Sequence, residues 1–185
     1  MSFRALVSTQ GADRKVTSAV ETLDESKLPA GDVTVAVEYS TLNYKDGLVL
    51  TSGGGLVKTW PHVGGIDFAG TVEDSSHAGF KAGDKVVLNG YRVGELHWGG
   101  YATRARVKGD WLVKLPHGLT LKHTMAIGTA GFTAAMALVI SVRSLEPTNR
   151  GNIRCINCAP VTRCSASSLL IAPSSTSCTA MRKAA

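Results

Sequence analysis

Residues 31–47 read GDVTVAVEYSTLNYKDG, and the change of pattern inside them decides how the chain is read. Val33, Val35, Val37 and Tyr39 alternate with Thr34, Ala36, Glu38 and Ser40. That period of two predicts a strand with one buried face. Pro29 and Gly31 set a turn before it. The alternation then stops at a polar cluster, Asn43, Tyr44, Lys45 and Asp46, which runs on toward the glycine triplet at 53–55. A polar cluster directly after a buried strand is a place for chemistry as well as for a turn.

Working outward, further strands are expected at DFAGTVED (67–74), DKVVLNG (84–90), GYATRARV (100–107) and DWLVKLP (110–116). Short strands at this spacing, broken by Gly and Pro, predict a compact barrel or sandwich, mainly β with flanking helices. From Leu121 the period changes. LKHTMAIGTAGFTAAMALVISVRSL (121–145) reads as one or two helices, with a break at Gly128-Thr129-Ala130-Gly131. In an α/β protein a Val- and Ile-rich parallel strand and a glycine-rich turn would follow. The chain instead reads GNIRCINCAPVTRCSASSLLIAPSSTSCTAMRKAA (151–185), with no periodicity beyond a short apolar run at 169–171. The expected organisation is therefore a domain over 1–120, a helical connection over 121–146 and an irregular tail over 147–185.

Composition narrows the function class. With 185 residues, 44% hydrophobic and 18% charged, the chain suits a globular protein with a real core. No unbroken apolar run approaches the roughly 18 residues of a membrane span. MSFRALVSTQ carries no long apolar stretch behind its arginine, so a secretory signal is not expected and the cytoplasm is the expected location. The net charge of +6 belongs to the tail: residues 1–138 hold 14 Lys or Arg against 13 Asp or Glu, and residues 139–185 hold six against Glu146 alone. Those tail charges are scattered and lack interleaved aromatics, which argues against nucleic acid as a partner. Nineteen of the 20 glycines precede residue 139, and all four cysteines follow it.

Two readings of the polar cluster stand side by side. Asn43 caps a helix starting at Tyr44, with Lys45 and Asp46 solvated on its first turn. Alternatively, the amide, phenol, ammonium and carboxylate form part of a site. GELHWGG (94–100) is similarly double: a tight turn with a core tryptophan, or a Trp98 pocket wall beside a Gly99 backbone that lies close to a ligand. SGGGLVKTW (52–60) lacks phosphate-loop spacing and reads as a mobile rim loop carrying Lys58. For metal, His62 and His97 are isolated. The Cys155-x2-Cys158 spacing is not repeated by Cys164 and Cys178, so free thiols are expected and no metal site.

STLNYKDGL, GIDFAGTV, AGDKVVLNGYRVGELHWGGYATRARVKGDWLVKLP and AIGTAGFTAAMAL, taken in order, closely resemble the acryloyl-CoA reductase branch of the zinc-independent medium-chain dehydrogenase/reductase superfamily, also known as quinone oxidoreductases. The resemblance covers roughly residues 3–138. It implies a GroES-like catalytic barrel, followed in such proteins by a Rossmann domain that binds NADPH, and reduction of a C=C bond conjugated to a carbonyl in an α,β-unsaturated acyl-CoA or a quinone. It further implies that Asn43 and Asp46 shape the pocket floor near the nicotinamide, that Tyr44 positions substrate or donates a proton, that Thr129 and Thr133 meet the cofactor, and that Trp98, Gly99 and Lys58 line the substrate pocket. The departure is the tail, which has no glycine-rich turn and resembles translation in a shifted reading frame. The expected protein is thus a catalytic half with its Rossmann domain missing or truncated and with weak activity. The alternative is a GroES-like module that binds a partner or a second copy of itself as a homodimer.

Overall fold

The structure, a computed structural model, describes residues 1–51 and 55–144, and for 142–144 the backbone alone. The expectations for residues 145–185 (the irregular tail, the strand at 169–171, the cysteine pair) fall outside the described residues, as do residues 52–54 of the glycine loop. The chain divides into two compact units, Met1–Thr133 and Ala134–Ala185.

The first unit contains β1 (Ser2–Gln10), β2 (Val16–Asp24), β3 (Val33–Ser40), α1 (Tyr44–Thr51), β4 (His62–Val63), β5 (Asp67–Ser75), β6 (Lys85–Asn89), β7 (Arg104–Val107), β8 (Val113–Lys114) and the start of α2 (Leu121–Ser144). The strands form two antiparallel sheets, ordered β2-β1-β4 and β7-β3-β5-β6-β8. Residues 101–103 serve both sheets. Leu6 N–H donates to Tyr101 O at 2.8 Å and Thr103 N–H to Arg4 O at 2.8 Å, while Val37 N–H donates to Thr103 O at 3.0 Å before β7 continues beside β3.

The larger core is built from Val33, Val35, Phe68, Val72, Val86, Leu88, Val93, Ala105, Val107 and Leu112. β3 supplies it through Val33 and Val35, as its alternation predicts. The pattern then fails at Tyr39, which is 42% exposed. The register shift at Val37/Tyr39 is the cause, since the extra residue Glu38 in β3 sends the side chain after it to the other face. Of the remaining predicted strands, 67–74 and 84–90 form as β5 and β6. The 110–116 stretch instead makes a 3-10 turn at Gly109–Trp111 and only the two-residue β8.

The β1–β2 hairpin has no counterpart in the sequence reading. β1 buries Phe3, Ala5 and Val7, but β2 is exposed along almost its whole length and carries no amphipathic signature. α2 contains the expected break. Gly128 has φ 54° and ψ −166°, a region open essentially to glycine alone. Before the kink, Leu121 and Met125 pack with Ala69 and Val87. By length and composition the stretch Leu121–Ser141 is apolar enough to cross a membrane, contrary to the expectation of no candidate span. The kink divides it, however, and the 13 residues from 129 to 141 rise only about 20 Å, short of the roughly 30 Å of a bilayer core.

Candidate active site

Asp67, the first residue of β5, is fully buried and gathers three donor groups from two other parts of the chain. Asn43 Nδ2 donates to its Oδ2 at 3.0 Å, Thr129 N–H to the same oxygen at 2.8 Å, and the Thr129 hydroxyl to Oδ1 at 2.5 Å. Burying a carboxylate without such donors would cost several kcal/mol, so these bonds hold the end of β3 and the restart of α2 on the start of β5. The Gly128 conformation delivers the Thr129 amide. A Cβ there would stand 3.0 Å from Thr41 Cγ2 and 3.2 Å from Asp67 Oδ2. Across the β5–β6 ladder Asp67 faces Asn89, whose Nδ2 is buried with no partner among the described residues.

Asp46 is a second fully buried carboxylate, and its oxygens are committed to backbone. Asn43 N–H donates to Oδ2 at 2.8 Å; the amides of Gly65 and Ile66 each donate to Oδ1 at 3.0 Å. One side chain thus closes the first turn of α1 and ties it to the Gly64-Gly65-Ile66 segment. That segment packs backbone to backbone on Gly99–Tyr101, with Gly99 N–H on Val63 O at 2.8 Å and Gly100 N–H on Gly65 O at 2.8 Å. A Cβ on Gly99 would lie 2.2 Å from Gly65 O. Beside this seam the half-buried Tyr101 donates its hydroxyl to Thr41 O at 3.2 Å. Burial raises the Tyr101 phenol above its ordinary range, and the nearby Asp46 and Asp67 add to the rise.

The predicted site residues fall into two groups. Asn43, Asp46 and Thr129 come together. The helix does begin at Tyr44, but Asn43 caps it through its carbonyl, at 3.0 Å from Asp46 N, and turns its side chain to Asp67. Tyr44 is 83% exposed. Asp46 has no surface from which to touch a ligand, so its effect on the pocket is through position. Thr133 is exposed and gives its hydroxyl to Thr129 O at 2.8 Å. Gly99 is buried beneath Gly64 and Gly65, and Trp98 packs with Phe3, Ala5, Val7, Leu28 and Val63, so both serve the core packing that was the simpler reading of GELHWGG. Lys58 is exposed. Lys45 reaches Glu95 at 2.7 Å.

Asp67, Asn89 and Tyr101 were not singled out. The signal for Asp67 was an acid between Ile66 and Phe68 in an apolar run, which must find partners if buried. No group of three or more His, Cys, Asp or Glu side chains suited to a metal occurs among the described residues. A groove of about 530 Å³, lined by Leu28, Pro29, Asp32, Thr34, Asp74 and Arg106 among others, lies at the opposite end of β3.

Residues 29–117 match the alcohol dehydrogenase GroES-like domain family. Over 138 residues the sequence is 59% identical to the acrylyl-CoA reductase AcuI of Ruegeria pomeroyi, covering 74% of this chain and 42% of that protein. The matched segment is similar to the N-terminal part of acrylyl-CoA reductases and quinone oxidoreductases. Among solved structures, the yhdH oxidoreductase of Salmonella enterica in complex with NADP superposes with a TM-score of 0.74 at 51% identity, covering 80% of this chain and 45% of that one. Bacillus subtilis yhfP with NAD bound gives 0.75 at 42% identity, with the same coverage. The chain spans less than half the length of these relatives, and its GroES-like fold is the N-terminal part of theirs.

Proposed function

We propose that this chain carries the catalytic half of an NADPH-dependent reductase acting on a C=C bond conjugated to the carbonyl of an acyl-CoA or a quinone. The supporting observation is the buried Asp67 hub, which fixes Asn43 and Thr129 beside an unpaired buried donor on Asn89. These residues fit a nicotinamide carboxamide, whose amide can donate to Asn43 Oδ1, an atom with no hydrogen bond among the described residues. NADPH would supply the hydride. Asn43 and Thr129 orient the ring, and Asp67 holds both. Asp46 sets the start of α1, which presents Tyr44 at the exposed side of the cluster. There the Tyr44 hydroxyl gives a proton to the α carbon as the carbonyl recovers. A cytoplasmic setting suits a reaction that uses this cofactor.

The purified chain is expected to bind NADPH weakly and to turn over poorly, because the match spans only part of the length of its relatives. Absorbance of NADPH in the presence of acryloyl-CoA measures this, and saturable turnover would overturn that expectation. Reduced nicotinamide mononucleotide, titrated by NMR, tests the pocket itself. Shifts at Asn43, Asn89 and Thr129 support the assignment, and an unresponsive set of amides at saturating probe rejects it. A second reading, self-association, is favoured by Ile127 and Phe132, which are 48% and 59% exposed on α2. A monodisperse monomer in light scattering at high concentration would count against it.

A further inference from the structure

We propose that Tyr91, Arg92 and Lys45 form a subsite for the phosphorylated adenosine end of an acyl-CoA; the assignment to CoA rests on the acyl-CoA part of the reading above. The loop that carries the subsite has an unusual backbone. Gly90, Tyr91, Arg92 and Gly94 have φ of 90°, 52°, 59° and 77°, which puts two consecutive non-glycine residues in the left-handed region. The loop is nonetheless well held. Val93 is fully buried, Arg92 O accepts from Glu95 N at 3.2 Å and Leu96 N at 3.0 Å, and Gly94 N–H donates to His97 O at 2.8 Å.

This conformation presents two kinds of surface. Tyr91 lies nearly parallel to Trp111, with centroids 5.9 Å apart at 15°, and stays 58% exposed, so its outer face is open for stacking. Lys108 Nζ sits 5.7 Å from the centre of the same Trp111 ring. Arg92 Nε lies 3.5 Å from Glu95 Oε2, and Lys45 Nζ 2.7 Å from Glu95 Oε1. A single carboxylate, 6% exposed, therefore orients two cations whose side chains remain 58% and 51% exposed. The surplus positive charge faces solvent beside an aromatic platform, a combination suited to a flat heterocycle bearing phosphates. Lys45 lies two residues beyond Asn43 on α1, which connects this surface to the Asp67 cluster.

An adenine nucleotide end is common to CoA and NADPH, so the test titrates the full chain separately with CoA, pantetheine and NADPH and follows the amides of 90–98 by NMR. CoA is expected to shift them saturably and pantetheine to leave them unmoved. Lys45→Gln or Arg92→Gln should each weaken CoA about tenfold. Tyr91→Gly removes the ring and relieves the left-handed strain, so it should weaken CoA while leaving Tm unchanged or higher. The proposal is overturned if pantetheine acts like CoA, if the variants bind CoA as the parent does, or if NADPH shows the variant sensitivity that CoA lacks. Retained CoA binding in a chain whose Asn43, Asn89 and Thr129 amides do not respond to reduced nicotinamide mononucleotide rejects the catalytic reading and leaves the subsite standing. A response of those amides to the mononucleotide, with CoA affinity indifferent to Arg92→Gln, rejects the subsite alone.

Discussion

Removing the Asp67 carboxylate should separate its structural load from its charge. In Asp67→Ala, three donors lose their acceptor in a place where the parent residue is fully buried: Asn43 Nδ2, Thr129 N and the Thr129 hydroxyl. The hydroxyl can rotate to another acceptor, leaving two groups stranded at about 1–3 kcal/mol each, so a loss of about 2–6 kcal/mol is expected. Asp67→Asn differs. With its carbonyl in place of Oδ2 it still accepts from Asn43 and Thr129 N, and with its amide in place of Oδ1 it donates to Thr129 Oγ1, whose hydroxyl can turn to accept. Only the charge assistance is lost, which amounts to about 1–2 kcal/mol. Urea unfolding followed by tryptophan fluorescence measures both variants through a common m-value. The ordering is the decisive result. If Asp67→Asn is as damaging as Asp67→Ala, or if neither shifts the midpoint, the three bonds do not carry the load assigned to them.

Other expectations follow from the same geometry. Asp46→Ala strands the amides of Asn43, Gly65 and Ile66, so hydrogen exchange at Gly65 and Ile66 should accelerate, with a stability loss of about 3–9 kcal/mol; unchanged protection there would contradict the geometry. Gly128→Ala forces a side chain into the glycine-only region and should cost about 1–3 kcal/mol, with the Thr129 amide losing protection before the rest of the domain. Tyr101 has a folded pKa above that of the unfolded chain, so its contribution is intact below pH about 10 and is lost as pH rises toward the folded value. Tyr101→Phe should therefore flatten the alkaline loss of stability, and a profile parallel to the parent's would refute this. His62 is shifted the opposite way. Burial lowers its pKa, with a bond to the Gly94 backbone opposing it and the charge of His97 adding to it. Its contribution is present above about pH 6.5 and is lost as pH falls below that. His62→Gln should give a smaller acid-side decline in urea midpoint than the parent.

The sequence revealed those parts of the protein whose burial pattern is one-sided. β3, β5 and β6 could be read because their buried and exposed residues follow a simple rule, and the kink in α2 because glycines interrupt an apolar run. β2 could not be read, since a strand exposed along nearly all its length resembles a polar loop in sequence. Tyr39 was misplaced because a bulge has no reliable signature in the residues that form it. In the site, the cluster at 43–46 was legible as polar residues close in sequence. Its centre was not. Asp67 lies 24 residues from Asn43 and 62 from Thr129, and only the fold shows that the three share hydrogen bonds. Trp98 and Gly99 stay ambiguous in sequence, because a tryptophan beside glycines marks a backbone crossing as readily as a pocket wall.

The span of those bonds also sets an order of events during synthesis. A ribosome that has made both sheets has still not completed the Asp67 cluster, because its last donors come from Thr129, beyond every strand of the domain. Until that residue clears the exit tunnel, the nascent chain holds a buried acid short of two of its hydrogen bonds. The GroES-like domain therefore ends, in translational terms, at the restart of α2 and not at its last strand.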